Sequence, residues 1–205
     1  MYLYLVRHGE TSWNKEKLFQ GGTDIALNDE GRAQAKAASE RLLKAGIVFD
    51  KVISSPLGRA VETALVLSGK SDKEIMIDER IREMSFGSLE GTDYYAVKDN
   101  NALLFNEPLT YVPQCGEETY DNLYGRVRSF LEDIKELENK ADKVLVSTHG
   151  ACMRALLTVL RDTDPNLMWK ISVGNCQFFK FRLEKGLYLE EDASDINTEI
   201  RNGNV

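Results

Sequence analysis

The chain has 205 residues, 42% of them hydrophobic, which suits one compact domain with a sizeable core. Its net charge of -7 argues against nucleic acid as a partner, because phosphate backbones bind basic surfaces, but it permits a small anion in a locally positive pocket. The sequence has neither the ~18 consecutive apolar residues of a membrane span nor a signal-peptide pattern, so we expect a cytoplasmic protein without a membrane partner. Its three cysteines, Cys115, Cys152 and Cys176, are then expected to be free thiols.

Predicted strands and helices alternate along most of the chain. Short apolar runs rich in branched residues predict buried strands at residues 2–6, 51–55, 75–77 and 143–148. Apolar residues at spacings of three and four, with Pro56 opening the second segment, predict helices at residues 28–46, 56–69, 119–138 and 151–160. Two further strands, at 176–183 and 187–191, are expected near the sheet edge. This order predicts an α/β fold, a three-layer α/β/α sandwich with a mostly parallel central sheet.

The first predicted helix also has a predicted cap and a predicted buried face. Asn28 is of a residue type that favours the N-cap position. Ala33, Ala37, Leu42 and Leu43 lie near one side of a helical projection, so we expect this side to face the sheet.

Residues 85–118 do not follow the alternation of strands and helices. A structureless segment of this length inside a compact domain is usually functional, so we expect a cap-like insertion over one end of the sheet, within a single domain of residues 1–205. Its aromatic residues either line a substrate pocket or form a small core: Phe86, Tyr94, Tyr95, Phe105 and Tyr111. The polar tail, residues 192–205, is expected to be poorly ordered.

Basic residues follow three of the predicted strands where each strand ends. Arg7 and His8 end the first strand, Arg59 lies one helical turn beyond the second, and His149 ends a third. Because the carboxyl ends of parallel strands meet at one edge of a sheet, these four side chains should converge. Arginine does not ligate metals, whereas its planar fork matches phosphate. The cluster therefore predicts a phosphate site rather than a metal site.

Sequence motifs carry a resemblance to a known family. They occur as LVRHGETSWN (5–14), FQGGTDIALNDEGRAQA (19–35), SSPLGRAVETA (54–64), IREMSFGSLEG (81–91) and VSTHGACMRAL (146–156). In this order the chain, from residue 3 to about 181, resembles the histidine phosphatase superfamily, which includes cofactor-dependent phosphoglycerate mutases. The resemblance implies an enzyme that forms a phosphohistidine, and we expect it to need neither a metal nor a cofactor.

The resemblance also implies a role for each matching residue. His8 would be the nucleophile, and Glu83 would be the general acid on the leaving oxygen. The phosphoryl oxygens would be held by Arg7, Arg59 and His149. Further substrate contacts are implied for Asn14, Gln20, Gly21 and Gly150. Neutral imidazole suits the nucleophilic role once a hydrogen bond to its other nitrogen fixes the tautomer, and a leaving alkoxide needs a proton.

Two other phosphatase patterns are present and are rejected. Cys176 to Arg182 has the C-x5-R spacing of cysteine-dependent phosphatases, whose loop must curl tightly around phosphate. The intervening residues include no glycine and favour a strand. The segment 162–164, Asp-Thr-Asp, faintly resembles an aspartyl-phosphatase motif, but it is predicted to form a turn.

Three functions fit the motifs. Water hydrolyses the phosphohistidine in a phosphatase, another hydroxyl of the substrate accepts the phosphoryl group in a mutase, and no transfer occurs in a phosphate-ester-binding module. Mutases of this family carry a longer insertion with an arginine pair and a lysine, whereas Lys98 is the single basic residue of 85–118. We therefore expect a phosphatase for a small phosphorylated metabolite: a sugar phosphate, a phosphoglycerate, a nucleotide or a cofactor precursor. The sequence leaves open whether the chain forms a homodimer.

Overall fold

The computed structural model describes residues 1–114 and 116–197. Within these ranges the strands are β1 (Tyr2–Arg7), β2 (Lys51–Ser54), β3 (Ile75–Ile77), β4 (Lys143–Thr148), β5 (Phe178–Glu184) and β6 (Leu187–Glu191). The α-helices are α1 (Ser12–Lys15), α2 (Asp29–Lys44), α3 (Gly58–Ser68), α4 (Tyr94–Asn100), α5 (Ala102–Asn106), α6 (Tyr120–Lys135) and α7 (Gly150–Leu160). Short 3₁₀ helices occupy Asp72–Glu74, Glu79–Ile81, Gly87–Leu89 and Pro165–Lys170. None of the described helices is long and apolar enough to cross a membrane.

The central sheet is mixed, with the strand order β3-β2-β4-β1-β5-β6. Strands β1 to β4 are parallel, whereas β5 runs antiparallel to β1 and β6 runs antiparallel to β5. The predicted α/β fold with a mostly parallel sheet is confirmed, and of the two late strands only β6 forms an edge. Because β1, β2 and β4 are parallel neighbours, their carboxyl ends share one edge of the sheet.

Alternate residues of β1 face two separate layers of helices. Leu3 and Leu5 pack in a core that includes the apolar faces of α6 and α7. Tyr4 and Val6 point the other way and pack in a core with α2 and α3. The strand is therefore apolar on both faces, as a central strand of a parallel sheet must be.

The predicted face of helix α2 is wrong except at Leu42, whereas its cap is as expected. The Asn28 side chain accepts a hydrogen bond from the Gly31 N–H at 2.7 Å. The buried residues are Gly31, Ala35, Ala38 and Leu42, whereas Ala33, Ala37 and Leu43 are exposed. Alanine occurs both on the buried side, at Ala35 and Ala38, and on the exposed side, at Ala33 and Ala37, so its spacing does not indicate which side faces the sheet.

The chain after β1 rests directly on the start of α2. A side-chain carbon placed on Gly9 would lie 2.5 Å from the Gly31 carbonyl oxygen. A side-chain carbon on Gly31 would lie 2.1 Å from the Glu10 carbonyl oxygen. Both glycines are therefore required by backbone-to-backbone packing, which holds the turn that follows β1.

Helix α3 begins two residues later than predicted. Pro56 and Leu57 form a bend after β2, and Leu57 takes the N-cap position. The Gly58 N–H donates instead to Asp24 Oδ2 at 2.9 Å, so a carboxylate from another loop fixes the helix start. The helix ends at Gly69, whose φ of +64° is the left-handed conformation that glycine adopts without strain.

The segment 85–118 is not structureless, because it contains the two short helices α4 and α5. The Asp93 side chain caps α4 by accepting from the Ala96 N–H at 2.8 Å. Helices of seven and five residues are too short to show an apolar period, which is why the sequence pattern misses them. Cys115 lies outside the described residues.

The start of the tail, predicted to be poorly ordered, is packed against the sheet. Ile196 is fully buried, and its carbonyl accepts from Arg41 Nε at 2.8 Å. The Asn197 side chain donates to the Phe178 carbonyl at 3.0 Å and accepts from the Phe178 N–H at 2.8 Å. Residues 198–205 lie outside the described part of the chain.

Candidate active site

The ends of β1, β2 and β4 bring the predicted basic cluster together. His8 and His149 are 2% and 0% exposed, and their ring centroids lie 5.1 Å apart. Arg7 and Arg59 are buried beside them. The sequence prediction of convergence at this edge therefore matches the geometry of all four side chains.

The imidazole of His8 is held in one tautomer by its own chain. Its Nδ1 lies 2.7 Å from the Gly9 carbonyl oxygen, so Nδ1 carries the proton and donates it. The backbone is fixed as well, because the His8 N–H donates to the Thr148 carbonyl at 3.0 Å. Burial, followed by the charges of Arg59 and Arg7, lowers the pKa of His8 well below its usual value. The ring is therefore neutral at pH 7, and its Nε2 is unprotonated. His8 is one of the residues that line the pocket.

The guanidinium of Arg59 is fully buried and held on three sides. Its Nη1 donates to the Thr23 carbonyl at 2.7 Å, and its Nη2 donates to the Gly21 carbonyl at 2.8 Å. Its Nε donates to His149 Nδ1 at 3.2 Å. Burial lowers the pKa of Arg59. Three of its five N–H groups are thus used by the protein, and its Nη1 also lies 3.7 Å from Asp24 Oδ1.

His149 lies behind Arg59 and is not among the residues that line the pocket. Because its Nδ1 accepts from Arg59, its Nε2 carries the proton and donates to Ser55 Oγ at 2.6 Å. Burial and the charge of Arg59 lower the pKa of His149 well below its usual value, so the ring stays neutral. Both ring nitrogens of His149 thus have protein partners, Arg59 and Ser55.

Glu83 lies at the N-terminus of α7. Its Oε2 accepts from the Ala151 N–H at 3.1 Å, and its Oε1 accepts from the Cys152 N–H at 2.9 Å. A third N–H, that of Met84, donates to Oε1 at 3.0 Å. These donors and the helix dipole hold the carboxyl group in one orientation at the pocket.

Gly150 marks the point where three charged groups meet. A side-chain carbon placed on it would lie 3.3 Å from Arg154 Nη1, 3.6 Å from Glu83 Oε2 and 3.7 Å from Arg7 Cζ. Glycine at this position therefore keeps the base of the pocket open between two guanidinium groups and a carboxyl group.

The loop that supplies the carbonyls for Arg59 is organised by Glu90, which sequence reasoning missed. Its carboxylate accepts from the N–H groups of Gly22 and Thr23, each at 2.9 Å. Gly21, with a φ of +54°, lies so close that a side-chain carbon there would be 2.1 Å from Glu90 Oε1. Glu90 thus fixes the loop conformation that presents the Gly21 carbonyl to Arg59.

Asn14 and Gln20 line the pocket beside this loop. The Asn14 Oδ1 accepts from the Thr11 N–H at 3.2 Å, and the Gln20 Nε2 donates to Thr11 Oγ1. The Gln20 Oε1 is buried and has no partner among the described residues. Both amide side chains are therefore anchored through Thr11 at the edge of the cavity.

Arg7 and Arg154 are buried cations without ion pairs. Arg7 donates to the Val173 carbonyl at 2.7 Å, and Arg154 Nε donates to the Ile171 carbonyl at 3.0 Å. In the described part of the chain, neither has a carboxylate within ion-pair distance. Burial and the neighbouring Arg154 lower the pKa of Arg7 to about 10. Buried charges are normally paired, so this arrangement suits a bound anion.

Arg154 was missed by sequence reasoning. It follows Gly150 by four residues and so lies one turn into a helix that leaves the active edge, as Arg59 does after Ser55. The argument that selected Arg59, its position one helical turn beyond the end of a strand, would also have selected Arg154. The apolar surroundings of α7 hid this signal.

An aromatic wall, Phe19, Phe86, Tyr94, Phe105 and Trp169, closes one side of the pocket. Its rings pack edge-on, stacked or tilted, with centroid distances of 4.8 Å between Phe19 and Phe86 and 5.0 Å between Phe105 and Trp169. Phe86, Tyr94 and Trp169 line the cavity, whereas Phe105 is buried behind them. The two interpretations of the aromatic residues in 85–118 are therefore both correct in part.

Tyr95 and Tyr111 of the same segment do not line the pocket, although the Tyr95 ring packs edge-on against Tyr94 at 5.5 Å. Tyr95 is 47% exposed, and the Tyr111 hydroxyl donates to Glu117 Oε2 at 2.7 Å.

The rejected C-x5-R pattern is a strand in the structure, since residues 178–182 belong to β5. Burial raises the pKa of the Cys176 thiol to about 12 and that of Cys152 to about 11, so neither is a thiolate at pH 7. The other rejected pattern is a turn, in which the Asp164 side chain accepts from the Asn166 N–H at 2.9 Å.

Comparisons with known proteins agree with this geometry. The model of the histidine phosphatase superfamily (branch 1) matches residues 3–191. A Hydrogenobacter thermophilus protein, provisionally named phosphoserine phosphatase 2, is 32% identical over 186 residues, which cover 89% of each chain. The 2,3-bisphosphoglycerate-dependent phosphoglycerate mutase of Brucella anthropi is 34% identical over 82% of this chain and 85% of its own length.

A solved structure shows the same fold. The phosphoserine phosphatase of Entamoeba histolytica, crystallised as a mutant with phosphoserine, has a TM-score of 0.79 at 27% identity, covering 93% of this chain and 95% of its own. Its complex with 3-phosphoglyceric acid gives a TM-score of 0.78. The present chain therefore belongs to the histidine phosphatase superfamily.

Proposed function

We propose that this histidine phosphatase is a metal-independent phosphomonoesterase that acts on a small phosphorylated metabolite through a phosphohistidine. The observation that carries the proposal is the state of His8. A hydrogen bond from Nδ1 fixes its tautomer, and its lowered pKa keeps Nε2 unprotonated beside two cations. This is the arrangement that a nitrogen nucleophile for phosphorus requires.

In the first step, His8 Nε2 attacks phosphorus, a P–N bond forms, and the bond from phosphorus to the ester oxygen breaks. Arg7 and Arg59 neutralise the charge on the phosphoryl oxygens, which is the main catalytic task in phosphoryl transfer. Glu83 acts as the general acid and gives its proton to the leaving oxygen.

In the second step, water attacks the phosphohistidine. Glu83, now ionised, accepts a proton from the water molecule while the P–N bond breaks. Inorganic phosphate is released, and His8 returns to its neutral form. The same carboxyl group thus serves as acid and then as base.

The other site residues support the phosphoryl group. Contacts with its oxygens are assigned to Asn14, Gln20, Gly21 and Gly150, which all line the pocket. His149 is assigned a positioning role, because its hydrogen bonds to Arg59 and Ser55 orient the guanidinium.

A phosphoglycerate mutase is the second candidate, and the Brucella relative favours it. A mutase must retain a doubly phosphorylated intermediate. Lys98, the basic residue of the segment 85–118, is exposed and lies outside the pocket lining. The described part of the segment 85–118 thus adds no cation to the pocket lining that would retain this intermediate, so the phosphatase is preferred. A phosphate-ester-binding module is disfavoured because the neutral, oriented imidazole of His8 can act as a nucleophile.

The test is hydrolysis of p-nitrophenyl phosphate in excess EDTA. We expect wild-type turnover to survive chelation and His8→Ala to lose roughly 10³-fold or more of it, since the nucleophile is gone. Cys176→Ala is the control and should stay close to wild type. Loss of activity in the cysteine variant with retention in the histidine variant would refute the mechanism. Absence of wild-type hydrolysis combined with phosphoglycerate mutase turnover would favour the second candidate.

A further inference from the structure

An ion pair close to Glu83 has no role in the proposed chemistry. Arg126 of α6 and Glu118 form a bidentate pair, in which Arg126 Nε donates to Glu118 Oε1 at 2.7 Å and Nη2 donates to Oε2 at 2.9 Å. Each side chain is only 17% exposed. Removing one member of such a pair leaves a poorly solvated charge, so the two side chains hold each other in place.

The guanidinium of Arg126 also holds the chain that leads to Glu83. Its Nη1 donates to the carbonyl of Arg80 and to the carbonyl of Arg82, each at 2.7 Å. Arg82 directly precedes Glu83, so its carbonyl belongs to the peptide group that joins the two residues. The second hydrogen bond therefore fixes the backbone from which the Glu83 side chain leaves.

Glu118 holds the chain on the other side of Glu83. The Glu118 N–H donates to the Ser85 carbonyl at 2.9 Å, and the Ser85 hydroxyl donates to the Gly116 carbonyl at 2.8 Å. The ion pair thus grips the backbone before and after Glu83, through Arg126 on one side and Glu118 on the other.

Glu83 depends on these contacts because close packing does not surround it. It lines the active-site pocket and also a second cavity, of about 610 Å³, which Arg126 and Glu118 line as well. A side chain that borders two cavities keeps its place through hydrogen bonds. One of its donors, the Met84 N–H, lies on the chain that the ion pair grips.

We infer that Arg126 is a positioning residue: together with Glu118 it fixes the backbone on both sides of Glu83 and so places the carboxyl group for proton transfer. This inference rests on the proposed function, since it takes Glu83 as the general acid. Arg126 itself does not line the active-site pocket, so it acts on the reaction through Glu83.

A matched pair of aryl esters tests the inference. Phenyl phosphate and p-nitrophenyl phosphate share a ring, but phenoxide is the more basic leaving group and so needs the proton from Glu83 more. We expect Arg126→Gln to lower kcat/KM for phenyl phosphate by roughly 10- to 100-fold, and for p-nitrophenyl phosphate by about threefold or less. Equal losses on the two esters would indicate a general structural effect and would overturn the inference.

Arg161→Gln is the matched control. Arg161 forms the same kind of bidentate pair with Glu190, through Nε and Nη2, but lines neither cavity. Its variant should keep the wild-type ratio of the two kcat/KM values. The same change of ratio in this variant would show that the loss of any such ion pair is sufficient, and the inference would fail.

Glu83→Gln completes a double-variant cycle. It removes the transferable proton and keeps the shape of the side chain. In this background Arg126→Gln should change the ratio of the two kcat/KM values no further, because residues that act through one group are not additive. A further change as large as in the Glu83 background would assign Arg126 another route of action and refute the inference.

Arg126→Lys decides if Arg126→Gln does not fold. Its ammonium group can still pair with Glu118, which protects the fold, but it cannot also hold both carbonyl groups. Phenyl phosphate should again lose more than p-nitrophenyl phosphate, and an unchanged ratio beside wild-type hydrolysis of both esters would overturn this inference alone. Wild-type protein that hydrolyses neither ester would refute the proposed function, and the inference with it.

Discussion

At the scale of single residues, Arg59 and His149 form one buried unit. The guanidinium donates to a neutral imidazole, and that bond exists only while His149 Nδ1 is unprotonated. Burial and the charge of Arg59 lower the pKa of His149 and so maintain this state. The orientation of this pocket-lining cation therefore depends on a histidine that does not itself line the pocket.

Replacing Arg59 tests this unit. Arg59→Ala should lower kcat/KM for p-nitrophenyl phosphate by roughly 10²–10³-fold, because one preorganised charge donor is worth about 3 kcal/mol. Arg59→Lys should recover little, since an ammonium group cannot reach the Gly21 carbonyl, the Thr23 carbonyl and His149 together.

Arg32→Ala serves as the control for this comparison. It removes an exposed guanidinium paired with Glu62, and steady-state kinetics should not distinguish it from wild type. Full activity in Arg59→Lys would show that a positive charge at this position is sufficient for catalysis, without the planar guanidinium group and its several donors.

Sequence reasoning found the basic residues at the strand ends and Arg59, one turn into the helix that follows β2, but it missed Arg154 and Glu90. His8, Arg59 and His149 were predictable because parallel strands share an edge. Glu90 was not, because its function depends on a loop that is 67 residues away in the chain and folds back onto it. Such long-range contacts produce no periodic pattern in the sequence from which they could be predicted.

At the scale of elements, the strands were predicted better than the helix faces. A short, continuous apolar run such as that of β1 predicts a strand that is buried on both faces. The alanine-rich helix α2 offers several faces, and the backbone contact at Gly31 selects among them. The segment 85–118 hid its helices because tertiary packing, rather than local pattern, stabilises elements of seven and five residues.

Two glycine-to-alanine substitutions in helices test this view of α2. Gly31→Ala should lower the free energy of unfolding by about 1–3 kcal/mol, because its new carbon meets the Glu10 carbonyl oxygen. Gly125→Ala in α6 has no atom within 4 Å of the new carbon and should raise the free energy of unfolding by about 0.5–1 kcal/mol. Urea denaturation measures both. A stabilised Gly31→Ala variant would contradict the proposed packing of the β1–α2 turn.

At the scale of the whole molecule, two neutral buried histidines make stability depend on pH. The pKa values of His8 and His149 both lie well below 6.5 in the folded state. Below pH 6.5 the unfolded chain therefore binds protons that the folded chain does not. Stability is complete above this pH and is lost as the pH falls.

The expected slope is about 1.4 kcal/mol per pH unit for each histidine below pH 6.5. Urea denaturation at pH 7.0, 6.0 and 5.5 measures it, and this window lies above the titration of ordinary carboxyl groups. His149→Gln should reduce the slope by about half. A free energy of unfolding that does not change between pH 7.0 and 5.5 would contradict this prediction, because it would mean that the two histidines bind protons in the folded protein as well.

The aromatic wall has a consequence for engineering. Phe86, Tyr94 and Trp169 shape the space for the alcohol, yet none of them takes part in the hydrogen bonds that hold His8 or Arg59. A combinatorial library restricted to these positions would therefore redesign the choice of ester while the reacting groups keep their geometry. The choice of substrate could then be changed through the shape of the pocket, without changing the side chains that react.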